Sequence, residues 1–421
     1  MKPKKTLVLI ILFFLFPLAL LAQASLPDSS KLVKLRIDPV NSLGASVSDV
    51  FSEVEFIPLE TSKDCLFGNI ENLKIVDDHF VFFDYDTRSV YIFTAQGKYK
   101  TKIDAKKVPQ ERSKKEENNF YGFVVEQVDG KDRIGIYTRK TMFFFDLDAK
   151  LVKKVSHDDP VRKNNRPKTY FKSQDAYVET YHLEKKDKDS IYYEIVTYNN
   201  NKETGKYFSY NPDKFRTDSP IGNGTGVFDY GADKEMFFVR PHDYTLYLAT
   251  PDKLYMAYRF IFPFSLTLPA DFSTAEEYKG KKFEYLRKND KKIYGIGNTY
   301  QIGDNLFFKT HQMEFNQSQK NSFVYNFKNG RLLSMVDLQP DTLSQFLPVT
   351  DAGLGYDFRQ RGFQLYKDGY FYTTYSSLVL YTVKDQNADK KRTYDDRLTQ
   401  TFKKGSRKDN PIIVKLKPKT N

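Results

Sequence analysis

The sequence predicts an all-β fold, namely a β-propeller of six four-stranded antiparallel blades. Aromatic residues make up 16% of the 421 residues, and together with Val and Ile they suit the pleated, half-buried surface of a strand. A pattern of polar turns and apolar strands recurs six times along the chain, whereas long stretches with helical spacing are almost absent. An all-β sandwich is the alternative, but six similar four-strand units favour the propeller.

The N-terminus has the features of a secretory signal peptide. Residues 1–24 combine a Lys-rich start, an apolar run of 15 residues and the small-residue pattern Ala-Gln-Ala. A membrane anchor is the alternative, but the apolar run is short for a span of about 20 residues. We therefore expect cleavage after Ala24, an N-terminal extension over 25–52 and the propeller over 53–421, with no transmembrane segment in the mature chain.

Cysteine use and charge suit an exported protein. Cys65 is the only cysteine, so no internal disulfide is possible. It lies far from the cleavage site, so we expect no lipid anchor, and we expect Cys65 to be a small buried or loop residue rather than a nucleophile. Net charge is +12, or +9 without the three leader lysines. The lysines stand among acids, as in "ERSKKEENN" (111–119), which predicts a solvated surface and no nucleic-acid partner.

The first unit, residues 68–103, shows the repeat most clearly. Its turns are "DDH", "YDTR" and "TAQG", and its strands include "FVFFD" and "SVYIF". One four-stranded meander cannot bury both of its faces alone, but six stacked around an axis bury them against one another. The six blades are predicted near 68–103, 120–155, 169–210, 225–262, 298–336 and 355–417.

Five further segments complete the predicted architecture. One or both of "VEFIPLE" (54–60) and "PIIVKLK" (411–417) are expected to join the sixth blade and close the ring, since an open ring leaves strand edges exposed. In the same blade, "DGYFYTTYSSLVLYTV" (368–383) predicts two strands, and the polar segment 384–410 predicts a surface loop. Ser273 or Thr274 followed by acids and spaced aromatics predicts one short capped helical insertion near 272–290.

Several of these stretches resemble a known family. "IPLETS" (57–62), "GNIENLKIVDDHFVFFD", "YIFTAQGKYKTKI" and "DNPIIVKLK" (409–417) are similar to a six-bladed β-propeller family of Bacteroidetes secreted proteins, often described only as a domain of unknown function. The resemblance implies a secreted or surface-exposed binding scaffold and implies no reaction. Two features depart from it: the Gly-Pro-Gly-Glu-Tyr-like loop that often follows the first blade and the lipid-attachment cysteine of many relatives are both missing here.

The sequence contains no motif that predicts a catalytic residue, a metal ligand or a cofactor. The five histidines are scattered without zinc-site spacing. Close acids in "DYDTR" (84–88) lack the pattern of a calcium loop, and Asp in tight turns is explained by bonds to its local backbone. "GNGTG" (222–226) lacks the flanking strand and helix of a phosphate loop, and no nucleophile elbow is present.

The repeat predicts where a ligand binds. In every blade the turn between the second and third strands falls on one face of the ring, beside the connections between blades. On this face we expect Arg139, Arg240, His242 and His311 to bind ligand, because basic groups pair with carboxylates or sulfates. The alternative is that they are ordinary exposed turn residues.

Two functions follow from this pattern. The first is an exported, non-enzymatic binding propeller, periplasmic or at the cell surface, whose ligand is a glycan or a protein. The second is a hydrolase or lyase that acts on polysaccharide with its site at the central channel. A shared propeller fold does not decide between them, since function lies in the loops and the channel.

Overall fold

The structure is a ring of six sheets. It is a computed structural model that describes residues 24–109, 120, 122–138, 140–156, 168–186, 189–210, 226–230, 232–314, 316, 319–351, 354–355, 357–390 and 392–421. Each sheet is a meander of antiparallel neighbours, and together they form a six-bladed propeller, which confirms the predicted fold class. Except for Ala24, the predicted signal peptide lies outside the described residues.

The first four elements precede the first complete blade. They are β1 (Val33–Arg36), β2 (Leu43–Ser46), α1 (Val47–Val50) and β3 (Phe51–Pro58).

Blades 1 to 3 each contain four consecutive strands, given from the innermost to the outermost. Blade 1 contains β4 (Glu71–Val76), β5 (His79–Asp84), β6 (Ser89–Thr94) and β7 (Tyr99–Ile103). Blade 2 contains β8 (Val124–Val128), β9 (Lys131–Tyr137), β10 (Thr141–Phe145) and β11 (Leu151–Ser156). Blade 3 contains β12 (Lys168–Tyr170), β13 (Ala176–Lys186), β14 (Asp189–Asn199) and β15 (Lys202–Tyr210).

Blades 4 to 6 follow the same order, and the last of them also uses a strand from the N-terminal part. Blade 4 contains β16 (Gly226–Asp229), β17 (Met236–Val239), β18 (Thr245–Ala249) and β19 (Leu254–Ile261). Blade 5 contains β20 (Gly295–Ile302), β21 (Asn305–His311), β22 (Ser322–Asn326) and β23 (Leu332–Gln339). Blade 6 contains β24 (Leu365–Lys367), β25 (Tyr370–Tyr375), β26 (Ile412–Pro418) and then β3.

Short helices occupy the connections. The α-helices are α2 (Lys282–Lys288), α3 (Asp357–Arg361), α4 (Ser377–Gln386) and α5 (Asp396–Lys404). Three 3₁₀ turns are Phe264–Leu266, Glu276–Tyr278 and Ala388–Lys390. The helical insertion predicted near 272–290 is present between blades 4 and 5. Its predicted cap is wrong, because α2 begins after Lys281 and no side chain caps it.

The hydrophobic core lies between neighbouring blades. Both faces of blade 1 contact another blade, so most residues of β5 and β6 are buried. Between blades 6 and 1, the ring of Phe80 lies 6.1 Å from that of Tyr372. Cys65 is fully buried in the same cluster, as expected of a small core residue. The aromatic richness of the sequence therefore fills the inter-blade layers.

Two distant segments close the ring in blade 6. β26 pairs antiparallel with β25 on one side and with β3 on the other. Both segments expected to close the ring, 54–60 and 411–417, thus contribute to this sheet. The ladder between β3 and β26 joins the two ends of the chain and leaves no gap between the first and last blades.

The second of the two strands predicted within 368–383 is wrong, and so is the loop predicted over 384–410. Residues Ser377–Gln386 form α4, and α5 lies within the predicted loop. The Ser376 side chain accepts a hydrogen bond from the Val379 backbone N–H at 3.4 Å and caps α4. The apolar, β-branched composition of this segment suits a strand, but its N-cap and packing produce a helix.

The segment before β3 runs along the outer edges of three blades. Ser25 forms a parallel bridge with Tyr207 in the outer strand of blade 3. β1 then pairs in parallel with β19 of blade 4, and β2 pairs in parallel with β23 of blade 5. The extension therefore covers sheet edges that would otherwise present unpaired backbone groups.

Candidate functional site

One face of the ring carries the candidate site, and we call it the turn face. Because successive strands alternate in direction, the turns between second and third strands lie on the same face as the connections between blades. The described residues of the turn face are those at and beyond the strand ends on this side, in 59–70, 85–88, 104–109, 120, 122–123, 137–138, 140, 240–244, 261–294, 312–314, 316, 319–321, 340–351, 354–355, 357–364, 376–390 and 392–411.

Arg240 joins blade 4 to blade 3. Its Nε and Nη2 atoms each donate a hydrogen bond of 2.9 Å to the buried carboxylate of Glu194. Nη1 donates to Asp243 at 3.3 Å, and the guanidinium lies 3.8 Å from the ring centre of Phe208. Burial alone would lower the pKa of Arg240, but the hydrogen bonds and charge of Glu194 outweigh that effect and raise it. Arg240 is thus held in a buried ion pair between blades.

Tyr294 links His242 and His311, because its backbone forms a hydrogen bond with the backbone of each. The backbone N–H of His242 donates to the carbonyl oxygen of Tyr294 at 3.0 Å, and the N–H of Tyr294 donates to that of His311 at 2.8 Å. The His242 ring packs edge-on against Phe272 in the helical insertion, with ring centres 5.1 Å apart. Two of the predicted site residues therefore flank the same connection between blades 4 and 5.

Arg139 lies outside the described residues, so its position relative to the other three predicted residues stays a prediction. Asp84, in the turn "DYDTR", is fully buried. It accepts hydrogen bonds from the backbone N–H groups of Asn69 at 2.9 Å and Thr87 at 2.8 Å. These bonds confirm the prediction that Asp84 serves turn geometry.

A buried basic cluster lies beside His311. Lys309 is only 2% exposed and Arg359, in α3, is only 5% exposed. The Lys309 ammonium donates to the backbone carbonyl oxygen of Gln360. Among the described residues Lys309 forms no ion pair. Burial lowers the pKa of Lys309 to about 7, and the positive charge of Arg359 adds to this effect.

His311 is neutral in this environment. Burial lowers the pKa of His311 to about 3, and the neighbouring Lys309 contributes further. Burial and the charge of Asp357 raise the pKa of the Asp351 carboxyl group, and the charge of Arg359 opposes this effect. Lys309 therefore has a positive neighbour in Arg359 and no ion-pair partner among the described residues.

The strand opposite this cluster contributes no side chain. In the register of blade 5, Gly297 pairs with Lys309 and Gly295 pairs with His311. The side chains of directly paired residues lie on the same face of a sheet. On the face of Lys309 and His311, their partners in β20 are therefore glycines without side chains. A Cβ atom on Gly297 would lie 2.8 Å from Nε2 of His311, which shows that the imidazole occupies the space a side chain would need.

Helix α3 covers the cluster from the side of blade 6. Asn321 donates from Nδ2 to the Arg359 carbonyl oxygen at 3.0 Å, and Asn298 donates to the Phe363 carbonyl oxygen at 2.7 Å. Arg361 reaches across to blade 1, where it forms an ion pair with Glu71, and it bonds Asp357 at 3.2 Å. The helix thereby spans blades 5, 6 and 1 at the mouth of the channel.

Exposed apolar side chains are concentrated on the turn face. Of the fifteen large apolar residues that are exposed among the described residues, eight lie there. Phe264 is the extreme case, with 92% of its surface exposed. The eight are Leu66, Tyr85, Tyr137, Ile261, Phe264, Phe283, Leu354 and Leu378.

Blade 3 adds an aromatic cluster to the same face. β13 and β14 are each 11 residues long and extend beyond the end of β15. Near this end, the rings of Tyr192 and Tyr210 have centres 5.4 Å apart, and Tyr181 meets Tyr210 edge-on at 6.4 Å. All three are half-buried, so part of each ring faces solvent.

Sequence reasoning missed three parts of this site. Lys309 lies on the predicted face but was not among the predicted ligand-binding residues, and Arg359 belongs to a helix that was not predicted. The tyrosines of blade 3 are dispersed over thirty residues of sequence and meet only through strand pairing. One signal was available: "GIGN" at 295–298 places two glycines at alternate positions of a strand, which indicates a close approach at that face.

The comparison with protein families decides the classification. The family described as "Domain of unknown function (DUF4934)" matches residues 36–417, most of the chain. The chain belongs to the DUF4934 family. No curated protein matches its sequence.

Solved structures that are similar to this DUF4934 protein come from two Bacteroides species. BF0058 of Bacteroides fragilis NCTC 9343, described as an exported protein, is 14% identical with a TM-score of 0.55, and the match covers 92% of this chain and 99% of that one. A member of the DUF4221 family from Bacteroides vulgatus ATCC 8482 is 9% identical with a TM-score of 0.40, covering 88% and 99%.

Two searches of the described part of this DUF4934 protein gave no candidates. No group of three or more His, Cys, Asp or Glu side chains there is placed to hold a metal ion. No helix among the same residues has the length and apolar character needed to cross a membrane.

Proposed function

We propose that this DUF4934 protein is an exported, non-enzymatic binding propeller that takes a glycan on its turn face. It acts in the periplasm or at the cell surface without a lipid anchor. Export is supported by the signal-peptide pattern of residues 1–24 and by the exported description of BF0058. The observation that carries the binding function is the concentration of exposed apolar and aromatic side chains on one face of the ring.

Exposed apolar side chains that gather on one face of a protein favour an interaction surface there. The turn face combines this surface with half-buried tyrosines at Tyr181, Tyr192 and Tyr210. Tyrosine rings offer an apolar face and a hydrogen-bonding edge, which suits sugar rings with their apolar faces and hydroxyl rims. The protein lacks Trp, so tyrosine and phenylalanine must supply the stacking surface.

The proposal assigns different roles to the residues predicted from sequence. His242 and His311 flank the connection between blades 4 and 5 and face the ligand. Arg240 supports the wall between blades 3 and 4 through its bonds to Glu194. Arg139 is proposed as a ligand contact on the turn of blade 2.

A polysaccharide hydrolase or lyase is the second candidate, and one observation favours it. Glu71 lies at the mouth of the channel, and burial raises its pKa despite the opposing charge of Arg361. A carboxyl group with a raised pKa suits a general acid. Glu71 and Asp357 are both bonded to Arg361, however, which favours a structural ion-pair network over a pair of catalytic carboxyls.

The test is a glycan array probed with the mature protein, residues 25–421, together with a peptide library. We expect binding to a limited set of oligosaccharides and no release of reducing ends or unsaturated products from any of them. Binding to peptides alone would replace the glycan with a protein partner. Product formation that Glu71→Gln abolishes would overturn the non-enzymatic function in favour of catalysis.

A further inference from the structure

Lys309, in the buried basic cluster of blade 5, has no ion-pair partner among the described residues. A buried ammonium group without a carboxylate partner is costly, because its loss of hydration is not repaid. Lys309 has one backbone carbonyl acceptor, although its ammonium can donate three hydrogen bonds. The fold keeps a lysine where methionine or leucine would pack without this cost, so the charge itself has a use.

The position of Lys309 and His311 on β21 shows which side of blade 5 they face. Phe307, two residues before Lys309, packs against Phe371 of blade 6 with ring centres 4.9 Å apart. Side chains two residues apart on a strand share a face, so Lys309 and His311 also face blade 6, at the turn-face end of β21. His311 keeps part of its surface exposed there, while Lys309 lies one step deeper.

We propose that Lys309 and His311 form a subsite for one oxyanion, a carboxylate or a sulfate ester, carried by the ligand of the turn face. The inference rests on the proposed function and names the class of glycan, an acidic one. Lys309 supplies the charge, and a ring nitrogen of His311 donates the second hydrogen bond. Arg359 adds positive potential behind Lys309. Gly297 and Gly295 of β20 place no side chains beside Lys309 and His311 on this face.

The chemistry is that of charge-assisted hydrogen bonding in a nearly dry environment. Such bonds are about twice as strong as those between neutral groups. An arriving oxyanion supplies the negative charge that the surroundings of Lys309 lack, and it favours the protonated amine. A neutral sugar in the same position would leave the ammonium uncompensated, so the subsite discriminates acidic from neutral glycans.

The test measures thermal unfolding of the mature protein in glucuronate, acetate, sulfate or chloride at constant ionic strength and slightly acid pH. A ligand that binds only the folded state raises Tm. We expect wild type to gain several degrees in the matching anion relative to chloride, and Lys309→Met to gain none. A response to glucuronate and acetate identifies a carboxylate subsite, and a response to sulfate alone identifies a sulfate subsite.

Two further variants keep the test decisive. Lys288→Met removes an exposed charge from the same face, where Lys288 bonds Glu284 at 2.7 Å, and it should keep the full response. Gly297→Ala retains Lys309 and Arg359 but displaces the His311 ring, and its affinity for the anion should fall about tenfold. It serves in place of Lys309→Met if that variant fails to fold.

The outcomes separate this inference from the proposed function. Equal Tm in all anions, or the same gain in wild type and Lys309→Met, overturns the subsite even if the glycan array shows binding. An anion response that depends on Lys309, together with an array without glycan binding, supports the subsite and overturns the glycan function.

Discussion

At the scale of single residues, buried charges distinguish support from recognition. Arg240 and Lys309 both follow or end second strands on the turn face, and both are basic. Arg240 is matched by Glu194 with two hydrogen bonds of 2.9 Å, whereas Lys309 has a backbone carbonyl and positive neighbours. The first arrangement stabilises the ring, and the second leaves the positive charge of Lys309 uncompensated.

Replacing Arg240 should therefore destabilise the protein. In Arg240→Met the carboxylate of Glu194 stays buried without its partner, which costs about 3 kcal/mol. Arg240→Met combined with Glu194→Gln should recover most of this loss. The exposed pair of Arg407 and Asp385, 2.7 Å apart, provides a control, because Arg407→Met should cost less than about 1 kcal/mol. Chemical denaturation measures all three, and an equal small effect of both single variants would contradict the assignment.

The stability of the protein should also depend on pH through Lys309. Its pKa is lowered from 10.5 to about 7 in the folded state. Between these values the unfolded chain holds a proton that the folded protein has lost, so the contribution of this group to stability rises with pH and is poorest below pH 7. Arg359 is the charged group that acts on Lys309, and His311, whose own pKa Lys309 helps to lower, stays neutral throughout this range.

Lys309→Met removes that pH dependence. In chloride buffer the variant should melt a few degrees above wild type at about pH 6, and the difference should shrink toward about pH 9, where the wild-type amine is neutral. Tm measured across this range checks the prediction. A difference that grows with pH would show that the amine stabilises the folded state and would contradict the uncompensated charge.

At the scale of elements, the sequence predicts the repeat well and the sixth blade poorly. Alternating apolar residues between Asp- and Gly-containing turns define blades 1, 2, 4 and 5, because local patterning and final packing agree there. In blade 6 the strand that pairs with β25 is β26, which lies nearly forty residues further along the chain. The residues directly after β25, where the repeat predicts the next strand, form α4 instead. A pairing between distant segments leaves no local signal.

The site shows the same limit. The turn face and two of its histidines follow from the repeat, since strand order alone places them. The contact of Lys309 with Gln360 and the pairing of Arg361 with Glu71 join residues 51 and 290 positions apart. Such contacts depend on how α3 lies across blades 5, 6 and 1, which no local pattern encodes.

Ring closure by β26 gives a prediction at this scale. Deleting residues 405–421 removes the strand between β25 and β3, and it exposes buried side chains such as Val414. We expect Tm to fall by many degrees. A synthetic peptide of residues 405–421 should restore much of the loss, and a scrambled peptide should not. An unchanged Tm after the deletion would contradict closure through this strand.

At the scale of the whole molecule, the two faces of the ring are unequal. The turn face carries helices α2 to α5, the long hairpin of blade 3 and eight exposed large apolar residues. The outer rim of blades 3, 4 and 5 is covered by the N-terminal segment, which pairs with their edges. The outer strand edges of these blades are thus covered, and one face of the ring carries the helices and exposed apolar side chains. This arrangement is typical of a scaffold that binds through its loops.

The measurement that tests this account most directly compares the two faces on the same glycan array. Tyr192→Ser with Tyr210→Ser alters the turn face, whereas Leu151→Ser removes an exposed apolar residue from the opposite end of blade 2. The account predicts that the tyrosine variant stays folded and loses glycan binding by about tenfold or more, and that Leu151→Ser binds like wild type. Full binding by the tyrosine variant, or an equal loss in both, would contradict a ligand site on the turn face.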